Sequence, residues 1–291
     1  MQDITDSRYD NGGTNAKKSH RKRMQLLRET NRLRRSKEYP PAYPNGWIPL
    51  FESRDLPVGK CKPVTALGQQ FVVFRGKTGT CFVLDGYCPH LGAHLGTDGK
   101  VHEDCIECPF HGWRFAGQDG ACVKIPYAEK IPKVAKIKTW ESIEQNGFIY
   151  VWYHAENEPP LWKPPVVPEI ENRLMQYIGR SEHVANCHIQ EIAENVADFA
   201  HLDCVHKYGP FRQRAIRHYY APSRFAAIIN YIFFYSERCM FERDVRLWNY
   251  KMYLKNPIYI KEDRQIARFR KWYSQFYSEN SPKIEKQDLN W

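Results

Sequence analysis

Cys88-Pro89-His90 and Cys108-Pro109-Phe110-His111 each offer one thiolate and one imidazole. Two thiolates can hold one iron of a two-iron, two-sulfide unit while two neutral imidazoles hold the other. Exchanging two cysteines for histidines raises the reduction potential, because imidazole brings no negative charge. Tetrahedral zinc also accepts two cysteines and two histidines. Zinc fingers, however, keep both cysteines in one half, whereas here each half is mixed. Gly92, Gly96, Gly99 and Gly112 surround the four residues and suit a pair of tight loop tips. The pattern predicts a histidine-ligated [2Fe–2S] centre.

Cys105 and Cys108 also form a C-x-x-C, which alone suggests a redox dithiol or half a zinc ribbon. With no second C-x-x-C in the chain, Cys105 reads as a buried strand thiol. His94 and His102 read as surface or supporting residues.

A second constellation follows in HIQEIAENVADFAHLDCVHKYG, which is helical in character up to a break near Tyr208-Gly209-Pro210. Asp198, His201 and His206 fall there as D-x-x-H-x4-H. Histidines five apart lie ~140° apart around an ideal helix, so sharing one metal requires the helix to end or bulge between them. Leu202-Asp203-Cys204 allows that break. Two imidazoles and one carboxylate with open positions make the ligand set of mononuclear non-haem Fe(II) sites. Asp198 has another use, since a carboxylate beside His201 can accept the imidazole's second N–H and fix its tautomer. Asp244 is the candidate third ligand, with Glu242, Asp203 and Glu194 as alternatives.

Elements to position these groups can be read along the chain. Residues 1–42 read as a basic flexible arm, and Pro40-Pro41-Ala42-Tyr43-Pro44-Asn45-Gly46 marks a boundary. Residues 43–155 read as a small antiparallel β domain with the cluster at one tip. Its strands include Phe71-Val72-Val73-Phe74 and Cys81-Phe82-Val83-Leu84, and Asn146-Gly147 predicts a hairpin turn into Phe148–Tyr153. Prolines from Pro159 to Pro168 read as a linker, and residues 156–291 as a helix-plus-sheet iron domain. The fold class is α+β.

The totals set limits on partners. Nine cysteines without framework spacing, and no secretory signal, indicate an intracellular, reducing compartment. No run approaches the ~20 apolar residues needed to span a bilayer, and Phe225 to Tyr235 reads as a buried strand. Residues 16–38 carry ten Lys/Arg and two Glu, leaving a net +2 of the chain's +10 for everything else. An electrostatic partner is therefore expected at the arm and not on the folded body. Anionic headgroups suit that arm, at ~1 kcal/mol per basic residue near a surface. Nucleic acid does not, because no aromatic residue interleaves the charges.

Together with Glu194-Asn195-x-x-Asp198, Asp244-x-x-Leu247-Trp248-x-x-Lys251 and Phe269-Arg270-x-Trp272-Tyr273-x-Gln275-Phe276-Tyr277, these motifs resemble the α-subunit of a Rieske non-haem iron oxygenase. Ala93 stands where respiratory-type Rieske proteins carry a loop-tying cysteine, which favours the oxygenase type. Pro41-x-x-Pro44-Asn45-Gly46-Trp47 and the closing aromatic run resemble the steroid-handling branch. That branch holds bacterial 3-ketosteroid 9α-hydroxylases and animal Neverland-type cholesterol 7-desaturases, and the basic arm favours the latter.

The resemblance implies a Rieske cluster on Cys88, His90, Cys108 and His111, and a mononuclear Fe(II) on His201, His206 and Asp244. It implies electrons from NAD(P)H through a reductase, O2 and a sterol as substrates, and a homotrimer. In such a trimer Asp198 is the catalytic bridge from His90 or His111 of one subunit to His201 of the next. Association with the endoplasmic reticulum membrane is a further implication. Only 37 residues separate His206 from Asp244, where the family places the sheet that roofs its substrate cavity. The iron domain is thus expected to be abbreviated between 207 and 243. A shortened, inactive or regulatory isoform and a Rieske electron carrier are the alternatives.

Overall fold

The computed structural model describes residues 39–180, 183, 185, 187–205, 219–221 and 238–284. His206, the basic arm and the expected strand at 225–235 lie outside the described residues. Two compact units form, one from Asn45–Leu174 and the other from Met1–Pro44 with Met175–Trp291.

The first unit is mainly antiparallel β, with one 3-10 turn at Ser53–Asp55 and a short helix at Pro168–Glu171. Its strands are β1 (Gly46–Glu52), β2 (Cys61–Ala66), β3 (Gln69–Arg75), β4 (Cys81–Asp85), β5 (Lys100–His102), β6 (Cys105–Glu107), β7 (Arg114–Ala116), β8 (Cys122–Lys124), β9 (Thr139–Trp140), β10 (Ser142–Gln145) and β11 (Phe148–Tyr153). They pair in three sheets, ordered β1-β11-β10, β2-β3-β4-β9 and β5-β6-β7-β8. Phe71, Val72, Val73 and Phe74 are all fully buried, so β3 is covered on both faces. Side chains alternate across a strand. Val72 and Phe74 accordingly join Leu84 in a core shared with Cys88 and Cys108. Phe71 and Val73 join Val83, Ile149 and Val151 in a second core. The loops carrying the candidate ligands are rooted in the first of these.

The predicted hairpin is present. Asn146 and Gly147 take φ of 51° and 76°, the two left-handed positions of a type I′ turn, and Gln145 faces Phe148 across it. The proline-rich stretch that follows packs back on the strands. Trp47 Nε1 donates to the Trp162 carbonyl at 2.6 Å, and Gln145 Nε2 to the Pro164 carbonyl. Trp47 and Gln145 are both buried, so their donors need acceptors that water cannot supply.

The second unit is helix-rich. Strands β12 (Gln176–Gly179) and β13 (Tyr219–Ala221) pair antiparallel. Helices run over Ile189–Glu194, Ala200–Val205, residues 238–250 and Arg264–Tyr273. Among its described residues Val245, Trp248, Tyr253 and Tyr273 are the buried apolar groups. Tyr39 stacks near His188 and Tyr253, and Ala42 N–H donates to the Pro282 carbonyl at 2.7 Å. Among the described residues no helix is long and apolar enough to cross a membrane.

His188 opens the helix Ile189–Glu194 as a neutral imidazole. Its Nδ1 accepts the Gln190 N–H at 3.1 Å and its Nε2 donates to the Pro41 carbonyl at 2.9 Å. Burial pulls its pKa below the ordinary 6.5, opposed by the bond to Pro41. The unfolded chain therefore takes up the proton first as pH falls, and the folded state loses stability below about pH 6.5. His188→Gln keeps a donor for Pro41 and removes the titration. The variant is expected to flatten the loss of melting temperature between pH 6.5 and 5, read by circular dichroism.

Candidate metal centres

The two cluster loops share one backbone plan despite their different spacing. Cys88 N–H donates to the Ala93 carbonyl at 2.9 Å and Gly92 N–H returns to the Cys88 carbonyl at 2.9 Å. Cys108 N–H donates to the Trp113 carbonyl at 2.7 Å and Gly112 N–H returns to the Cys108 carbonyl at 3.1 Å. Each loop closes on a glycine at positive φ, Gly92 at 73° and Gly112 at 69°, where a side chain costs about 1–2 kcal/mol. A Cβ on Gly112 would also meet Pro126 Cγ at 2.9 Å. Gly112→Ala is expected to lower both the unfolding midpoint and the iron content of the purified chain, measured by denaturant titration and metal analysis.

The loops bring the four predicted residues together. Cys88 and Cys108 are both 3% exposed, and the His90 and His111 ring centroids lie 4.7 Å apart. Nδ1 of His90 and of His111 are buried without a hydrogen-bond partner. Two orphaned imidazole nitrogens are costly unless something accepts their lone pairs. The Cys88 thiol is pushed up to about 11, first by burial and then by neighbouring Cys108. A thiol that resists ionisation when buried becomes a thiolate once a cation binds it. The donor set thus fits a [2Fe–2S] unit. Among the described residues no three His, Cys, Asp or Glu converge on one point. A two-iron cluster asks only two protein ligands of each iron, so it needs no such triplet.

Cys105 lies in β6 and is half-buried. His102 Nε2 lies 3.1 Å from Glu107. His94 Nδ1 accepts the Gly96 N–H at 3.1 Å, bracing the first loop.

In the second unit His201 and Asp244 face a common point. His201 Nδ1 donates to the Asp198 carbonyl, which leaves its lone pair on Nε2. The Asn195 amide Nδ2 lies 3.2 Å from that Nε2 and 3.3 Å from Asp244 Oδ2. The Asp198 carboxylate, expected on the imidazole, has Oδ2 3.9 Å from Nδ1 and Oδ1 3.2 Å from the His201 backbone N–H. At the first turn of a helix the free backbone N–H groups are the nearer donors, so a carboxylate three residues ahead caps them. The helix Ala200–Val205 runs unbroken through Leu202-Asp203-Cys204, the stretch that allowed a break, and Val205 is the last described residue before His206.

Of the alternative ligands, Glu194 is committed to Arg270, with contacts of 2.5 and 2.9 Å. Glu242 pairs with Arg238 at 3.3 Å, and the Asp203 side chain lies outside the description. The histidine and carboxylate present fit a mononuclear iron, with His206 outside the described residues. Sequence reasoning assigned no role to Asn195 or to Trp113, whose ring lies flat on His90 at 4.6 Å and 7°. The Asn195 position inside Glu194-Asn195-x-x-Asp198 and the His111-Gly112-Trp113 run were the available signals.

Paired Cys/His loops on antiparallel sheets, followed by a helical unit with a histidine–carboxylate pair, define the Rieske oxygenase class. The profile described as "Rieske [2Fe-2S] domain" matches residues 46–140, and that of "3-Ketosteroid 9alpha-hydroxylase C-terminal domain" matches residues 151–230 and 226–277. The chain belongs to the cholesterol 7-desaturase family of Rieske oxygenases.

It is 36% identical over 364 positions to "Cholesterol 7-desaturase nvd" of Xenopus laevis, covering 93% of this chain and 80% of that one. It is 37% identical to the protein of that name from Drosophila melanogaster, over 86% of this chain and 80% of the relative. The "3-ketosteroid-9-alpha-monooxygenase, oxygenase component" of Rhodococcus rhodochrous is 28% identical over 82% of each chain. Among solved structures, Pseudomonas putida CBB5 NdmA has the same fold, with a TM-score of 0.64 at 17% identity over 79% of this chain and 89% of that one. The 364 aligned positions exceed the 291 residues of the whole chain. The Xenopus relative therefore carries internal residues with no counterpart here. The two pieces of the C-terminal match meet at residues 226–230.

Proposed function

We propose that this chain is the oxygenase component of a sterol desaturase that converts cholesterol to 7-dehydrocholesterol. Two hydrogens leave C7 and C8, and O2, two electrons and two protons account for two waters. Cys88, His90, Cys108 and His111 would hold the Rieske cluster, and His201, His206 and Asp244 the mononuclear iron. When bound, these centres supply one-electron transfer and O2 chemistry.

The chain's own contribution is placement. The equivalent loop hydrogen bonds fix both thiols at one depth, and Trp113 holds the His90 ring by stacking. The Asp198 carbonyl fixes the His201 tautomer so that the lone pair lies on Nε2, which faces the Asn195 amide that also contacts Asp244. We read Asp198 as the bridge between subunits of a homotrimer, a role suited to a carboxylate that is about one-third exposed and not fully spent on His201. A reductase drawing on NAD(P)H is the electron source. The arm at 16–38 is read as a contact with an anionic membrane such as the endoplasmic reticulum.

The observation that carries this reading is the pair of buried, unpartnered Nδ1 atoms on the same two loops as two buried cysteines. Iron and acid-labile sulfide analysis, EPR of the reduced chain, and sterol turnover with a reductase test it. Material with no labile sulfide, or with a cluster but no sterol product, would defeat it.

The aligned length greater than the whole chain favours a second reading: a shortened form that joins oxygenase assemblies and suppresses them. Mixing the chain with an intact relative and measuring product separates the two, since a working desaturase adds turnover and a suppressor subtracts it.

A further inference from the structure

The folded body was expected to carry no concentrated charge, but one region of the first unit does. Between Lys124 and Lys138 the chain holds five lysines against one acid, Glu129, a local excess hidden by acids elsewhere. This segment is a fixed strap. Ile125, Ala135 and Ile137 beneath it are buried in the same core as Cys88 and Cys108. Cys122 N–H donates to the Ala135 carbonyl and Ile137 N–H to the Gly120 carbonyl, both at 2.9 Å. Lys124, Lys130, Lys133 and Lys136 all point to solvent.

The strap also touches the second cluster loop. Pro126 sits on Gly112, and the next residue, Tyr127, accepts a hydrogen bond from Trp113 Nε1 at 2.7 Å while remaining 62% exposed. Trp113 in turn stacks flat on His90. An aromatic path therefore runs from an exposed phenol to one candidate cluster ligand, with lysines at its mouth. Charges of one sign beside an entry point steer an oppositely charged partner and raise its association rate.

We propose that Tyr127 and its flanking Lys124, Lys130 and Lys133 form the electron-entry port, and that its occupant is a one-electron carrier protein with an acidic face. This rests on the oxygenase reading only in requiring an external donor. One electron leaves the reduced carrier and enters the oxidised cluster, and no proton moves. Two thiolates on a [2Fe–2S]2+ unit leave it neutral before the electron arrives, so the lysine field is not cancelled by the cluster and favours the added charge.

The test is rapid mixing of the oxidised holoprotein with pre-reduced plant-type ferredoxin, an acidic one-electron carrier, without sterol, following cluster bleaching. The second-order rate is expected to fall as NaCl rises. Charge reversal (K124E/K130E/K133E) is expected to slow it about tenfold or more at low salt and remove the salt dependence. The triple Lys→Arg variant should keep both. Tyr127→Ala should lower the limiting rate at saturating ferredoxin. Dithionite-reduced EPR spectra of all variants should be the same. A salt-insensitive rate, or a charge-reversed chain reduced as fast as the parent, would overturn the port, as would slowing caused only by a change in oligomeric state. A chain with no cluster signal even under dithionite would instead remove the oxygenase reading beneath it.

Discussion

His201→Ala is expected to abolish sterol turnover while leaving the visible and EPR spectra of the Rieske cluster unchanged. The imidazole is set for one task. Its Nδ1 is occupied by the Asp198 carbonyl, and its Nε2 faces the Asn195 amide that also contacts Asp244. Removing even an outer partner of a metal ligand typically costs 10- to 100-fold in affinity or activity, so loss of the ligand itself should exceed about 100-fold. The candidate cluster ligands all belong to the other compact unit, built from Asn45–Leu174, and none relies on His201. Iron analysis should show one iron lost and two retained per chain. Bleaching of the cluster by this substitution would mean that the two sites have been assigned to the wrong residues. Asp244→Asn is expected to behave in the same way, with weaker Fe(II) binding in place of outright loss, because the amide keeps an oxygen donor but not the charge.

How much of this was legible in the sequence depends on how local each signal is. The cluster loops were readable because the chemistry needs four residues within a short stretch and a glycine at each turn. The Asn146-Gly147 hairpin was readable because two consecutive left-handed residues tolerate few side chains. Contacts between distant positions leave no such trace. Tyr127 reaches Trp113 across 14 residues and Arg270 reaches Glu194 across 76; neither partner announces the other. The lysine strap was missed for another reason. Net charge was counted over the whole body, and a sum cannot show that four exposed lysines crowd a strap whose Ile125, Ala135 and Ile137 are buried. The segment 39–44 read as a boundary because proline breaks regular structure. Its Tyr39 and Pro41 nonetheless pack within the second unit, through ring and carbonyl contacts that turn chemistry does not encode.

The second large effect is expected at Arg270, far from any candidate ligand in sequence. Its guanidinium meets both oxygens of Glu194 and donates a third bond to the Leu254 carbonyl at 2.6 Å. It also lies 4.9 Å from the centre of the Tyr253 ring. The side chains are 13% and 9% exposed, so this pair is not a solvated surface bridge. Burial would draw the Arg270 pKa down, yet the Glu194 carboxylate holds it above its ordinary value. Breaking a buried pair from one side strands the remaining charge and typically costs 3–5 kcal/mol. Arg270→Met is therefore expected to destabilise the chain by about that amount in denaturant unfolding. Arg270→Lys should lose less, since it keeps the charge and gives up the fork. If the stranded carboxylate is the cause, adding Glu194→Gln to Arg270→Met should recover much of the loss, a coupling that a packing defect alone would not produce. Glu194 immediately precedes Asn195, whose amide contacts both His201 and Asp244, so Arg270→Met should also weaken Fe(II) binding. Double-variant recovery of stability without recovery of iron binding would separate the two effects, because the neutral amide introduced by Glu194→Gln has no cation to hold it against the C-terminal helix.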